Sequence, residues 1–191
     1  MDFFKYKTKV PPGPGKLLVS EPFLPDPNFE RTIILMCEHN DDGSFGFVLN
    51  KPSLAKVADV LDELKEFKGI AYVGGPVQQD TLQFVHRIKD IENAVEIFDG
   101  VFWGGNFETI SLMIETQQIA PDEIKFFLGY SGWSAGQLNE ELKENTWIVS
   151  DQVDAELIFE TDPEDMWQSA LKLMGGRFSI YSNYPVDPRM N

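Results

Sequence analysis

The segment Gly129–Leu138, GYSGWSAGQL, follows the apolar run Ile124–Leu128 and contains three glycines and a tryptophan. The run has the composition of a strand, and the residues after the segment have the pattern of a helix. We therefore predict a strand-to-helix corner here, and the strand and helix on either side of it organise the rest of the fold. The residues assigned to this structural corner are Gly129, Gly132, Trp133, Ser134, Gly136 and Gln137.

The corner also matches the G-x-S-x-G pattern of a nucleophile elbow, with Ser134 as the serine. A serine nucleophile needs a base, and the two histidines, His39 and His86, both precede Ser134. The α/β-hydrolase order places the histidine last, so the sequence excludes that fold. A hydrolase of other geometry, using Ser131 or Ser134 with His39 or His86, stays open as an alternative.

The second interpretation of Ser134 is structural. Gln137 follows it by three residues, which is a capping-box pattern for a helix running through Lys143. As an N-cap, the serine satisfies backbone donors at the helix start and needs no catalytic partner. We favour this interpretation and assign no catalytic residue.

Outward from the corner, hairpin patterns alternate with isolated helices, without regular βαβ repeats. This order predicts an α+β single domain with a large mixed β-sheet flanked by helices. The predicted helices are Leu54–Phe67, a helix capped by Asn106 that ends near Gln118, the helix through Lys143, and one that begins at Asp162 and ends at Gly175-Gly176. The predicted strands are Lys16–Ser20, Thr32–Cys37, the strand SFGFVLN after Asp42-Gly43, Ile70–Val73, Leu82–Ile88, Val95–Phe98, Val101–Trp103, Ile124–Gly129, Trp147–Val149 and Leu157–Phe159.

The domain is expected to span residues 16–176. An N-terminal arm, residues 1–15, ends in PPGPG, which continues neither a helix nor a central strand. Residues 177–191 are predicted to be a C-terminal tail.

Charge and cysteine content restrict the possible partners and compartment. The chain has 191 residues and a formal net charge of −15, which repels phosphate backbones and argues against nucleic acid. The single cysteine, Cys37, fits a reducing compartment. No apolar run reaches the ~18 residues of a membrane span, and the N-terminus lacks the apolar core of a signal peptide. We expect an acidic cytoplasmic protein that does not enter a membrane.

No metal or cofactor site is predicted. Cys37-Glu38-His39 offers metal-ligand types, but no second Cys/His pair accompanies it, and a core cysteine is the simpler interpretation. Gly13-Pro14-Gly15-Lys16 is similar to the end of a P-loop, yet Leu17 occupies the position of the Mg²⁺-binding hydroxyl.

A polar cluster precedes the TIILMC strand: Asp26, Asn28 and Arg31. Such residues can form the mouth of a pocket. They can equally form an Asx-type turn with Arg31 tying the loop by hydrogen bonds, which we favour.

Taken in order, several segments resemble the bacterial YqgE/AlgH family. They are KLLVSEPFLPDPNFERTIILMCEHNDDGSFGFVLNKP (16–52), YVGGPV (72–77), FLGYSGWSAGQLNEEL (127–142), NTWIV, LIF and MWQSALKLMGG. The resemblance implies an α+β domain with a large mixed sheet and supplies no catalytic residue or cofactor. Its corner motif, G-Y-x-G-W-x-x-G-Q-L, leaves the Ser134 position variable, and the tail FSIYSNYPVDPRMN departs from the family pattern.

The predicted function is that of a non-enzymatic binding or regulatory protein whose partner is a protein or a small ligand. Family members carry the label of transcriptional regulators, so direct DNA binding is a further alternative, which the net charge disfavours. The candidate ligand-binding residues, taken from positions that match the family pattern, are Asp26, Arg31, His39, Asn50, Gly74, Gly75 and Pro76. The sequence predicts no oligomeric state.

Overall fold

The structure is a computed structural model that describes residues 9–186. The described chain contains a ten-stranded sheet. Its strands are β1 Leu17–Ser20, β2 Ile33–Asn40, β3 Gly43–Val48, β4 Pro52–Lys56, β5 Ile70–Val73, β6 Val77–His86, β7 Val95–Phe98, β8 Val101–Trp103, β9 Ile124–Ser134 and β10 Trp147–Ser150.

The strand order is β10-β1-β2-β3-β9-β6-β8-β7, with β5 pairing both β4 and β9. The β5–β9 pair is parallel, and the other pairs of described strands are antiparallel. This architecture confirms the predicted α+β single domain with a mixed sheet.

Helices lie against both faces of the sheet. Within the described residues they are α1 Val57–Val60, α2 Phe107–Glu115, α3 Gln137–Lys143, α4 Ala155–Phe159, α5 Pro163–Met174 and α6 Gly176–Tyr181, with a 3-10 turn at Asp62–Leu64. In the part of the chain that the structure describes, no helix has the length and apolarity to cross a membrane.

Strands β1 and β2 are buried on both faces because α4 and α5 cover one face and α3 covers the other. Successive side chains of a strand point to opposite faces. Leu17 and Leu35 therefore join the cluster that includes Trp167 of α5. Leu18 joins the opposite cluster with Leu138 of α3. A separate core lies beneath α1 and α2, against β5, β6 and the first half of β9.

Strand β9 connects the two halves of the sheet. Its first half pairs with β5 and β6, and its second half pairs with β3 from Ser131 to Ser134. Gly129 lies between the halves with a φ of 66°, a left-handed conformation that favours glycine. This residue lets one strand change partners without ending.

Two predicted elements are wrong. Residues Leu54–Phe67 do not form one helix: β4 occupies residues 52–56, and α1 spans only four residues. The backbone of residues 52–56 pairs with β5 and therefore cannot form helical hydrogen bonds. The Leu54 side chain, expected on the buried face of the helix, is fully exposed. Residues Leu157–Phe159 belong to helix α4 instead of a strand, because the Asp154 carboxylate caps that helix by accepting from the Leu157 N–H at 2.8 Å.

Other local predictions are confirmed. The β7–β8 hairpin turns at Asp99-Gly100, and β2 and β3 form the hairpin predicted around Asp42-Gly43. Asn106 caps α2, since its side-chain oxygen accepts from the Thr109 N–H at 2.9 Å.

Candidate functional site

Three of the predicted residues lie at the entrance of β2: Asp26 and Arg31 from the loop before it, and Asn50 from the segment after β3. The Asp26 carboxylate accepts from the Asn28 N–H at 2.8 Å, an Asx-type turn. The Asn50 side chain accepts from the Ile33 N–H at 3.0 Å and donates to the Arg31 carbonyl at 2.9 Å. The Asn50 side chain thus bonds the backbone groups of Arg31 and Ile33 as a neighbouring strand would.

Arg31 also contacts two residues near the C-terminal end of the described chain, Trp167 and Tyr184. Its guanidinium donates to the Tyr184 carbonyl at 2.6 Å and lies 4.7 Å from the ring centre of Trp167. The residue has a φ of 46°, which is uncommon for a side chain of this size. These contacts join the start of β2 to the C-terminal residues.

Gly74 and Gly75 lie where the chain crosses the middle of β9. The Gly74 carbonyl accepts from the Val48 N–H at 2.8 Å and from the Ser131 hydroxyl at 3.1 Å. A Cβ on Gly74 would lie 2.4 Å from the Gly129 carbonyl oxygen, and one on Gly75 would lie 2.2 Å from the backbone of Tyr130. Both positions require glycine for close backbone packing, and Pro76 follows them on the surface.

His39 lies elsewhere, on the β2–β3 hairpin. Its Nδ1 is 2.6 Å from the Ser44 hydroxyl across the hairpin. The structure therefore groups Asp26, Arg31 and Asn50 at one place and the glycine pair at a second. A ligand-binding role for the seven predicted residues stays a prediction.

The strand-to-helix corner occurs later than predicted. β9 continues through Ser134, and Gly136, with a φ of 77°, is the N-cap of α3. The prediction that Ser134 is the N-cap is wrong: the Gln137 side chain accepts from the Ser134 N–H at 3.0 Å, so only the reciprocal half of the capping box forms. The predicted helix end at Lys143 is confirmed.

Trp133 and Gln137 of this motif both bond Glu141, a residue that was not predicted from the sequence. Glu141 accepts from the indole N–H of Trp133 at 2.8 Å and from that of Trp147 at 2.7 Å. Gln137 donates to its other carboxylate oxygen at 3.0 Å. Glu141 could have been found from the sequence, because it follows Gln137 by four residues on a predicted helix, and residues at that spacing are neighbours.

None of the serine–histidine pairs named for the alternative hydrolase forms, because neither Ser131 nor Ser134 bonds His39 or His86. Ser131 donates to the Gly74 carbonyl, and the Ser134 hydroxyl lies 3.3 Å from the Gln137 side-chain oxygen. His86 Nε2 is 2.9 Å from the Gly104 carbonyl oxygen, and its Nδ1 accepts from the Ile88 N–H at 3.2 Å. Burial lowers the pKa of His86, which favours the neutral ring in this backbone-bonded position.

Cys37 is a core residue. Its side chain is buried, and burial raises the pKa of the thiol above its ordinary value. A thiol held protonated is a poor nucleophile and a poor metal ligand. Among the residues that the structure describes, no three His, Cys, Asp or Glu side chains are grouped to hold a metal ion.

A groove of about 590 Å³ lies between the β2–β3 hairpin and the β6–β8 pair. We call it the hairpin groove. Its lining residues are Glu38, Asn40, Asp42, Gly43, Ser44, Phe45, Phe47, Val77, Gln83, Trp103, Tyr130, Gly132 and Trp133. None of the seven predicted ligand-binding residues is among them.

Aromatic side chains form the walls of the hairpin groove. The ring of Phe45 lies 4.8 Å from Trp103 at 66°, 6.0 Å from Tyr130 at 77° and 6.0 Å from Phe47 at 81°. Phe45, Trp103 and Tyr130 are only partly buried. Rings meeting edge to face form adjoining walls, so the groove keeps aromatic surface in contact with solvent.

Sequence reasoning missed the hairpin groove because its residues come from five separate strands. Phe45, Trp103 and Tyr130 are distant in sequence, and each alternates along its strand as a core residue would. The glycines of the corner motif were the nearest signal, since Gly132 pairs with Phe45 in the sheet and lines the groove.

Comparison with known proteins agrees with the fold. The family model described as AlgH-like matches residues 17–179. A UPF0301 protein of Cytophaga hutchinsonii is 45% identical over 179 residues, covering 93% of this chain and 98% of the relative. A UPF0301 protein of Bacteroides thetaiotaomicron is 41% identical over 192 residues, covering 100% of this chain and 97% of the relative.

A solved structure extends the agreement to three dimensions. The solution structure of the AlgH protein from Pseudomonas aeruginosa superposes with a TM-score of 0.71 and 28% identity, covering 93% of this chain and 98% of that one. The family match over residues 17–179, the relatives at 41–45% identity and this shared fold show that the chain belongs to the AlgH-like family.

Proposed function

We propose that this protein acts by binding a partner, without catalysis, and that the hairpin groove is the binding site. The observation that carries the proposal is the groove itself: about 590 Å³, walled by partly exposed aromatic rings and rimmed by polar side chains. Binding sites are usually concave, largely apolar and supplied with a few polar groups that fix orientation. Aromatic residues are also enriched where proteins bind one another.

In this proposal, the residues predicted from the sequence position the walls of the groove. Gly74 and Gly75 let the chain pack against β9 beside Tyr130. His39 bonds Ser44, next to Phe45 on the same hairpin. Asp26, Arg31 and Asn50 hold the start of β2, the strand that carries Glu38 and Asn40 to the rim. We place the protein in the cytoplasm, in accord with its single cysteine, which forms no disulfide within the chain.

A photocrosslinking residue at Gln83, which lines the groove, tests the proposal in living bacteria. We expect a discrete crosslinked adduct that disappears when Trp103 is also changed to Ala, because the aromatic wall is then removed. The same crosslinker at Ser111 of α2, which is partly buried like Gln83, is the matched control. Equal adducts from both positions, or adducts that persist in Trp103→Ala, contradict the proposal.

A further inference from the structure

Building on the proposed function, we propose that the hairpin groove receives a cationic side chain, lysine or arginine, from a partner protein. The aromatic walls, the acidic rim and the net charge of the whole chain all favour such an occupant.

The aromatic walls suit a cation. The face of an aromatic ring carries partial negative charge and attracts ammonium and guanidinium groups within about 6 Å of its centre. Phe45 meets Trp103 and Tyr130 at 66° and 77°, so the three rings enclose a corner instead of stacking into a slab. The Tyr130 hydroxyl makes no hydrogen bond with any described residue, which leaves an acceptor at the same wall.

The rim of the groove is acidic. Glu38 and Asp42 line it, and no lysine or arginine of the described chain does so. One Glu38 carboxylate oxygen accepts from the Asn40 side chain at 2.6 Å, and the other has no partner among the described residues. The Asp42 carboxylate is exposed and likewise makes no ion pair within residues 9–186. Two carboxylates are therefore available to an incoming cation.

Size and charge favour a cationic side chain that is part of a protein. A volume of about 590 Å³ exceeds that of a single ammonium or guanidinium head and lies in the range of peptide-sized and drug-sized ligands. The groove is open to solvent, so a side chain of a partner protein can enter it. The net charge of −15 attracts a basic surface from a distance and repels anionic ligands.

The test uses purified, isotope-labelled protein and three short glycine–serine peptides that differ at one central residue: lysine, acetyl-lysine or glutamate. Binding is followed through the NMR signals of the Trp103 indole N–H and the Gly132 amide. We expect the lysine peptide to bind about fivefold more tightly than the acetyl-lysine peptide, and the glutamate peptide not to shift these signals. Added salt should weaken binding of the lysine peptide alone.

Matched variants locate the effect. Asp42→Asn and Glu38→Gln should each weaken the lysine peptide about two- to fivefold and leave the acetyl-lysine peptide unchanged. Asp41→Asn removes the same charge from the neighbouring exposed residue, which does not line the groove, and should change affinity by less than about twofold. All of these residues are exposed, so the variants should fold.

Two outcomes overturn the inference in different ways. Equal binding of the lysine and acetyl-lysine peptides at the groove signals would contradict the cation and leave the proposed binding site intact. Failure of all three peptides to shift the groove signals, together with loss of the in-cell adduct at Gln83, would contradict both.

Discussion

Glu141 joins two tryptophans of different strands to helix α3. Its carboxylate accepts from Trp133 and Trp147, whose rings lie 6.1 Å apart at 84°, while Gln137 holds it from the preceding turn. Both indoles are almost fully buried, so little solvent reaches them to replace a lost acceptor. The tryptophan and glutamine of the corner motif therefore stabilise the junction of β9, α3 and β10.

Changing Glu141 to Ala should lower the free energy of unfolding by about 1–3 kcal/mol, because two buried donors lose their acceptor. Glu141→Gln keeps one acceptor oxygen and should recover part of the loss. Urea denaturation gives the values. The control is Glu140→Ala on the same helix, which removes only an exposed ion pair with Lys143 and should cost less than about 1 kcal/mol. Equal losses for the two alanine variants would contradict the role assigned to Glu141.

Lys125 is a buried lysine whose environment makes the stability of the protein depend on pH. Its ammonium group is buried, has no hydrogen-bond partner among the described residues and lies 4.4 Å from the ring centre of Tyr72. Burial lowers the pKa of Lys125 from 10.5 to about 7. The unfolded chain thus binds more protons than the folded chain between pH 7 and pH 10.5, and this group makes stability rise with pH across that window.

Lys125→Met should remove this dependence. At pH 7 and below, the variant should be more stable than the parent protein by roughly 1–3 kcal/mol, as expected when an apolar side chain replaces a buried charge. The difference should shrink towards pH 10. Urea denaturation across this range measures it, with exposed Lys89→Met as the control for loss of a positive charge. A variant that is less stable at every pH, by a constant amount, would contradict the prediction.

At the scale of elements, β9 depends on Gly129. Gly129 and Gly136 have similar left-handed φ angles, 66° and 77°, but different surroundings. A Cβ on Gly129 would lie 2.5 Å from the Val77 carbonyl oxygen, whereas a Cβ on Gly136 would meet nothing within 4 Å. The pair separates the cost of a left-handed backbone from the cost of steric overlap.

Gly136→Ala should cost about 1–2 kcal/mol, the penalty of a left-handed alanine. Gly129→Ala should cost at least about 2 kcal/mol more, because the β6 and β9 backbones must also separate. Urea denaturation of both variants provides the comparison. If Gly129→Ala loses enough stability to be unfolded, Gly136→Ala is still expected to fold. Similar losses for the two variants would show that β9 tolerates a side chain at its kink.

Several elements set by local chemistry could be predicted from the sequence, whereas the pairing of distant strands could not. Asn106 and the Asp99-Gly100 turn act on their neighbours, and the helix and hairpin there are confirmed. The predicted helix Leu54–Phe67 failed because β5, which follows it in sequence, pairs with the segment before Val57. The hairpin groove has the same origin, since Phe45, Trp103 and Tyr130 become neighbours only when β9 pairs with both halves of the sheet.

At the scale of the whole molecule, the start of β2 is tied to the end of the described chain. Arg31 bonds the carbonyl of Tyr184, 153 residues away, and Phe23 stacks on the Tyr184 ring at 5.8 Å. Helix α6 starts at residue 176, where the sequence predicted the domain to end, and its Phe178 and Tyr181 pack on the main core cluster. Residues 177–184 are thus held by the core and by contacts with the loop before β2.

Arg31→Met tests this tie because methionine keeps apolar contact with Trp167 but cannot donate to Tyr184. The free energy of local opening of α6 should fall by about 1–2 kcal/mol, so amide hydrogen exchange in residues 176–184 should accelerate roughly five- to thirtyfold. Exchange in β1 and β9 should change much less. Arg177→Met removes an equal charge from the exposed face of α6 and should leave exchange near the parent rate. Uniform acceleration across the sheet would mean that Arg31 stabilises the whole fold and not this contact, and unchanged exchange in α6 would mean that the contact contributes little.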